Sequence, residues 1–192
     1  MELPTLTTAR LSLRPFSRAD LPALFEILAD EEANRFLPWF PVRTMGEAEA
    51  FYRQRHEASA DLHFAVCPKP EGAPIGYVKL SPEPPYDLGY GLRSACWGRG
   101  IASEAVAAAL DWARRAAFAP YVTATHDVNN PRSGGVMRRV GMRYAYSYRE
   151  QWQPKDVSVV FRLYQLSLDG RERPAYPGYW ERYPEHFVEQ GL

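Results

Sequence analysis

GYGLRSACWGRGIASEAVAAA, residues Gly89 to Ala109, reads as a strand, a hinge, a tight glycine turn and the opening of a helix. Gly98, Arg99, Gly100, Ile101 and Ala102 form the turn, and the alanines from Ala105 to Ala116 have the highest helix propensity available. Ile101, Ala105, Ala108 and Trp112 recur at helical spacing, which predicts one face packed on a sheet. Small residues leave the first backbone N–H groups bare, and a helix N-terminus of this kind suits a phosphate. Two nucleotide motifs are excluded. No Gly-Lys-Ser/Thr triplet follows the glycines, and Ser94 stands where a dinucleotide fingerprint needs its third glycine.

Outward from this stretch, the chain alternates strand and helix signals. Arg10 to Phe16 alternates as a strand, and Ser17 with Asp20 caps a helix carrying Leu21, Leu24, Phe25 and Leu28. NRFLPWFPVRT (34–44) reads as a loop, and Thr44 with Glu47 opens a helix to about Glu57 with Ala48, Phe51 and Tyr52 inward. Leu62 to Cys67 and Ile75 to Leu80 form a hairpin across PKPEGAP, followed by strands at Asp87 to Leu92 and Tyr121 to Asp127. Asn130 and Pro131 start a short helix that Gly141 ends. Tyr144, Tyr146 and Tyr148 alternate on one strand; Val157, Val159, Phe161 and Leu163 alternate on the last. The order β-α-α-β-β-β-α-β-α-β-β predicts an α/β (α+β mixed) domain over residues 1–170. It is a mixed, mostly antiparallel sheet of about seven strands, flanked by helices on both faces. Residues 171–192 form an aromatic, proline-rich extension, expected to pack on the domain or on a partner subunit.

Composition narrows the function classes. The 192 residues suit one core, and 23 Lys plus Arg balance 23 Asp plus Glu, so no global field recruits nucleic acid or a membrane. Locally, seven arginines between Arg99 and Arg143 face three acids, which fits a polyphosphorylated ligand. Two cysteines make neither a disulfide framework nor a metal site. No apolar run is long enough to span a bilayer, and the N-terminus lacks a signal-peptide core, so the expected location is cytoplasmic.

WGRGIASEA, preceded by DLGYGL and followed by NNPRSGGVMRRVGM, resembles the GNAT superfamily of N-acetyltransferases over residues 8 to 168. The branch it looks most like contains the ribosomal-protein N-terminal acetyltransferases. The resemblance implies a single GNAT-like domain and acetyl-CoA as cosubstrate without a metal. It implies the diphosphate on Trp97, Gly98, Arg99, Gly100, Ile101, Ala102 and Ser103, and the pantetheine arm beside Tyr90 to Leu92 and Asn130. The second motif aligns as Asn130, Ser133, Val136, Arg139, Val140, Gly141 and Met142. Ser133 then lies near the sulfur and Arg139 in the cofactor-binding set, while Asn130 and Ser133 also read as plain helix-start residues.

Met137 stands where many members place a tyrosine acid, which leaves the proton donor to Ser133 or water. Asp87 occupies the place of a glutamate base, with turn residue as the plain alternative and His126 and Asp127 in reserve. A protein α-amine (pKa roughly 7.7–8.0) asks less of such a base than a lysine side chain does. Acceptor contacts are expected from Trp39, Phe40, Tyr86, Tyr148 and Trp152, and a bulky group is expected against Gly134 and Gly135. The leading reading is an N-acetyltransferase acting on a protein N-terminus or a small amine, as monomer or homodimer. An antibiotic-amine enzyme and a non-catalytic acyl-CoA sensor are the rivals.

Overall fold

A computed structural model describes residues 3–70 and 72–192. Met1 and Glu2 of the N-terminus and Glu71 in the PKPEGAP turn lie outside them. Nine strands in these residues form two sheets. The first places β1 (Leu6–Thr7), β2 (Leu11–Pro15), β3 (Leu62–Pro68), β4 (Gly76–Leu80) and β5 (Leu88–Leu92) side by side, each pair antiparallel. The second contains β6 (Tyr121–Asp127), β7 (Arg143–Trp152), β8 (Val157–Ser167) and β9 (His186–Phe187), ordered β6-β8-β7-β9. Between the sheets there is one isolated parallel bridge, Asp87 to Thr123, where Thr123 donates its amide to Tyr86 O at 3.2 Å. Beyond that bridge β5 and β6 diverge.

Six helices fill the connections: α1 (Leu21–Ala29), α2 (Glu31–Asn34), α3 (Met45–Tyr52), α4 (Ile101–Arg115), α5 (Pro131–Arg139) and α6 (Gly178–Arg182). The capping pairs behave as read. The Ser17 amide donates to Asp20 at 2.8 Å, and Thr44 Oγ1 accepts the Glu47 amide while Glu47 accepts the Arg43 amide. One turn of π-helix, Arg53–Glu57, continues α3. The α2 helix and the short β1, β9 and α6 are too brief for periodicity to announce.

One core fills the space between the first sheet and α4. Leu11, Leu13, Phe64, Val66, Val78 and Leu80 point into it from alternate strand positions. The helix answers with Ala105, Val106, Ala109, Leu110, Trp112 and Ala113, a stripe rotated slightly from the predicted one. Alanine on that face lets the helix lie close, and Trp112 meets Phe64 edge-on at 5.5 Å. Burying a side chain such as Phe64 contributes roughly 1.5–3 kcal/mol. The opposite face of the sheet carries Arg14, Ala65 and Tyr77 in register and looks toward α1 and α3. There Leu24, Leu28, Ala48 and Tyr52 make a second cluster.

The tyrosine alternation on β7 is broken. A bulge sets Tyr144 opposite Tyr164 but Tyr146 opposite Leu163, so Tyr144 faces the main core while Tyr146 and Tyr148 face the other way. Residues after 171 fold over that second face. Tyr148 is stacked by Tyr179 and Tyr183 at 4.8 and 4.9 Å, the Arg162 guanidinium pairs with Glu189, and β9 joins β7.

Candidate active site

The divergence of β5 and β6 opens a cleft of about 1140 Å³ that runs from the N-terminus of α4 to the aromatic residues around α1 and α3. At one end, Gly98 and Gly100 hold φ of +76° and +73°, a conformation that costs other residues about 1–2 kcal/mol. Gly100 is thereby the cap of α4, and the first amide to find an acceptor within the helix is that of Glu104, at 3.1 Å from Gly100 O. The earlier amides remain directed past the helix end, and the buried Ser103 Oγ has no hydrogen-bond partner. An orphaned hydroxyl beside bare amides fits a diphosphate.

Thr8 and Arg10, outside the motif, and Glu104 within it build this turn from behind. Glu104 sits in the first helical turn, where its charge would repel an anion. It is turned away instead, accepting from the Thr8 hydroxyl at 2.6 Å, the Arg10 amide at 3.1 Å and Arg10 Nε at 2.7 Å. Burial works against the carboxylate, but these donors hold it below the ordinary carboxylate range. Arg10 also donates to Arg99 O at 3.0 Å, fixing the glycine turn.

In the middle of the cleft, the Tyr90 hydroxyl lies 2.7 Å from Ser133 O and 2.9 Å from Ser133 Oγ. Burial pushes its phenol pKa upward, so it stays protonated at neutral pH. Asn130 caps α5, its side chain accepting the Ser133 amide. Met137 is buried, as a thioether suits. His126 is 97% hidden (3% exposed) and held neutral by burial, with Nδ1 2.8 Å from Asp127 O and Nε2 without a partner. The group packed against Gly134 is this ring, not a ligand: a Cβ on Gly134 would stand 2.5 Å from His126 Nε2. Gly135 does line the cleft and has room for a methyl group.

At the far end, Asp87 is paired with Lys79 at 2.7 Å, and Lys79 also approaches Asp61 at 3.8 Å. Trp39 donates to Asn34 Oδ1 at 2.8 Å, and Trp152 meets Phe161 edge-on at 5.0 Å. The β7–β8 turn is fastened over this end by Lys155, which donates to Asn34 O at 2.8 Å. The α1–α2 junction reaches the α4 end of the cleft through Asp30. Its carboxylate accepts the Ala33 amide at 3.0 Å and the Ser94 amide at 2.6 Å.

Of the residues predicted from sequence, Asp87, Tyr90, Leu92, Trp97, Gly98, Gly100, Ile101, Ala102, Ser103, Asn130, Ser133, Arg139, Trp39 and Trp152 line the cleft together, with His126 and Asp127. Four do not. Arg99 contributes its carbonyl to Arg10, and Phe40 is 61% exposed outside the cleft. Tyr86 packs edge-on against Tyr121 at 5.1 Å. Tyr148 is enclosed by the C-terminal aromatics, a consequence of the bulge that no alternation pattern could announce. Sequence reading missed Arg55, His56, His63, Tyr77 and Lys79, all of which line the far end of the cleft. The signal available was strand parity. His63, Lys79 and Gly89 form one cross-strand row, and Tyr77 pairs Gly91 in the next.

The arrangement is a cleft with an anion cradle at one end and a hydroxyl pair at its middle. A profile described as "Acetyltransferase (GNAT) domain" matches residues 10–143. The chain belongs to the GNAT acetyltransferase family, and its donor is acetyl-CoA. The chain is 30% identical over 141 residues to an uncharacterized N-acetyltransferase, YnaD, of Bacillus subtilis, covering 72% of this chain and 82% of that one. A ribosomal L7/L12 α-N-protein acetyltransferase in complex with coenzyme A superposes with TM-score 0.77 at 19% identity, covering 88% of this chain and 100% of that one. The spermidine N-acetyltransferase of Vibrio cholerae, with CoA and spermine, superposes at 0.70 and 18%, covering 84% and 97%. These structures share the fold across several subfamilies, so the resemblance holds for the superfamily and not for the ribosomal branch in particular. Among the described residues, no helix is long and apolar enough to cross a membrane and no group of three His, Cys, Asp or Glu could hold a metal.

Proposed function

We propose that the protein transfers the acetyl group of acetyl-CoA directly to a primary amine, both substrates being bound in the one cleft. The observation that carries this reading is the continuity of that cleft from the bare amides of α4, past the Tyr90–Ser133 pair, to Asp87. Acetyl-CoA supplies an activated thioester. The amides from Gly98 to Ser103 hold its diphosphate, and the free edge of β5 pairs with its pantetheine arm. Asn130 and Arg139 border that arm.

The amine nitrogen attacks the thioester carbonyl carbon, the C–S bond breaks, and the sulfur leaves with the electron pair. Backbone N–H groups near Tyr90 to Leu92 stabilise the developing oxyanion. The Ser133 hydroxyl protonates the sulfur and recovers a proton, through water, from the nitrogen as it becomes an amide, while Tyr90 keeps its own proton and orients the serine from 2.9 Å. This pair fills the role left open by Met137. Asp87, ion-paired with Lys79, takes the ammonium proton through water. The names of the relatives, N-acetyltransferases of a protein α-amine and of a polyamine, support nitrogen as the acceptor atom.

The test is release of CoA thiol from acetyl-CoA with a panel of amines, peptides and aminoglycosides, for wild type, Asp87→Ala and Ser133→Ala. Release that depends on an acceptor and falls in both variants is the expected result. Tight acetyl-CoA binding without release from any acceptor would instead support a sensor.

A further inference from the structure

The acceptor end of the cleft is electrically two-ended. On the β4–β5 side, Lys79 is shared by two carboxylates, Asp87 and Asp61, so the trio is anionic. On the opposite wall lies Arg55, in the π-helical turn after α3. Its guanidinium rests 5.7 Å from the centre of the Trp39 ring and 5.8 Å from that of Phe51, half-buried and facing the cleft. The acids nearest to it along the helix are engaged elsewhere: Glu57 pairs with Arg18 at 2.9 Å, and Glu49 meets the same arginine at 3.7 Å. Among the described residues no carboxylate lies within ion-pair distance of Arg55. The two imidazoles beside it, His56 and His63, stand 4.5 Å apart and are kept neutral by burial, so neither adds a charge. The Tyr77 hydroxyl also belongs to this end, its ring packed on Gly91 of the strand that would carry the thioester.

A guanidinium stacked on aromatic rings keeps its donor edge free, and that planar fork matches a carboxylate. Trp39 and Phe51 on one side and Trp152 and Phe161 on the other give apolar surface between the two poles. We infer that the acceptor is an amine of the α-amino-acid type, its nitrogen directed to the Asp87 side, its carboxylate on Arg55 and an apolar side chain between the aromatic walls. This inference rests on the transferase reading above. A polyamine, with several positive charges, is disfavoured by the same arginine.

The experiment compares amines that differ only in the carboxylate. Rates of thiol release are measured for L-phenylalanine against phenethylamine and L-leucine against isoamylamine, referred to the neutral amine, with spermidine as the cationic arm. Wild type, Arg55→Ala and Arg55→Lys are used, and acetyl-CoA affinity by calorimetry reports an intact fold. A charged hydrogen bond of this kind corresponds to a preference of about 10–100-fold for the amino acid, expressed in KM. Arg55→Ala should bring the amino acid down to the level of its decarboxylated partner, and Arg55→Lys should restore part of the difference. Equal or better use of phenethylamine, a preference that survives Arg55→Ala, or spermidine as the best acceptor would overturn the inference. If no compound turns over, calorimetry of millimolar phenylalanine into the enzyme–CoA complex decides, and absence of binding counts against it. Failure of wild type to bind acetyl-CoA would instead remove the transferase reading itself.

Discussion

The two ends of the cleft are built from different materials. The cofactor end is made of backbone: two glycines at positive φ, bare amides and a helix end, with side chains such as Arg10 and Glu104 acting from behind. The acceptor end is made of side chains: rings, an ion-paired aspartate and an arginine on an aromatic shelf. Backbone cradles recognise a group common to every acyl-CoA. Side-chain walls can be exchanged one residue at a time without disturbing that cradle. The contrast explains how one fold keeps its donor while its acceptors diverge.

Four substitutions probe this division, taken from the largest effect. Ser133→Ala removes the proposed proton donor and should lower kcat by about 100-fold while acetyl-CoA affinity stays near that of wild type. An unchanged kcat would return the acid role to water. Gly100→Val forces a branched residue into the left-handed region and should weaken acetyl-CoA binding by about 30-fold in calorimetry. If acceptor affinity fell equally, the two ends would not be separable. Tyr90→Phe keeps the ring and removes the hydroxyl, with an expected loss of about tenfold in kcat.

The smallest effect concerns stability. Burial pushes His56 down to about 3 and His63 down to about 4, whereas both titrate near 6.5 when unfolded. The unfolded chain therefore binds more protons as pH falls below about 6.5, and stability drops until the folded imidazoles themselves protonate near pH 4 and 3. His56→Phe should flatten part of the fall in thermal midpoint between pH 6.5 and 4. Asp20 does not confuse the measurement. Burial opposes its charge, but Arg14 and Ser17 hold its carboxyl below the ordinary value of 3.8, so its stabilisation fades only at lower pH.

The same contrast governed what could be read in advance. The cofactor end is nearly contiguous in sequence, so Gly98 to Ser103 and Asn130 to Ser133 announced themselves as turn and cap. Strand and helix periods likewise located every long element. The acceptor end is assembled from α1, α3, β3, β4, β7 and β8, and only strand register shows that His63, Lys79 and Gly89 share a row. Tyr148 shows the limit from another side. Its parity depends on a one-residue bulge after Tyr144, and that bulge turns an expected acceptor contact into a ring enclosed by Tyr179 and Tyr183.

Asp30 spans the division. One oxygen caps α2, which supports the acceptor wall through Asn34 and Trp39, and the other holds the Ser94 amide at the approach to the glycine turn. A single carboxylate thus joins the two ends, and the expected outcome is that binding at one alters affinity at the other. Any change that acetyl-CoA makes in acceptor affinity must then appear as the same factor in acetyl-CoA affinity when the acceptor is already bound. Asp30→Ala would reduce that factor toward one, leaving two sites that share a room but no longer exchange information.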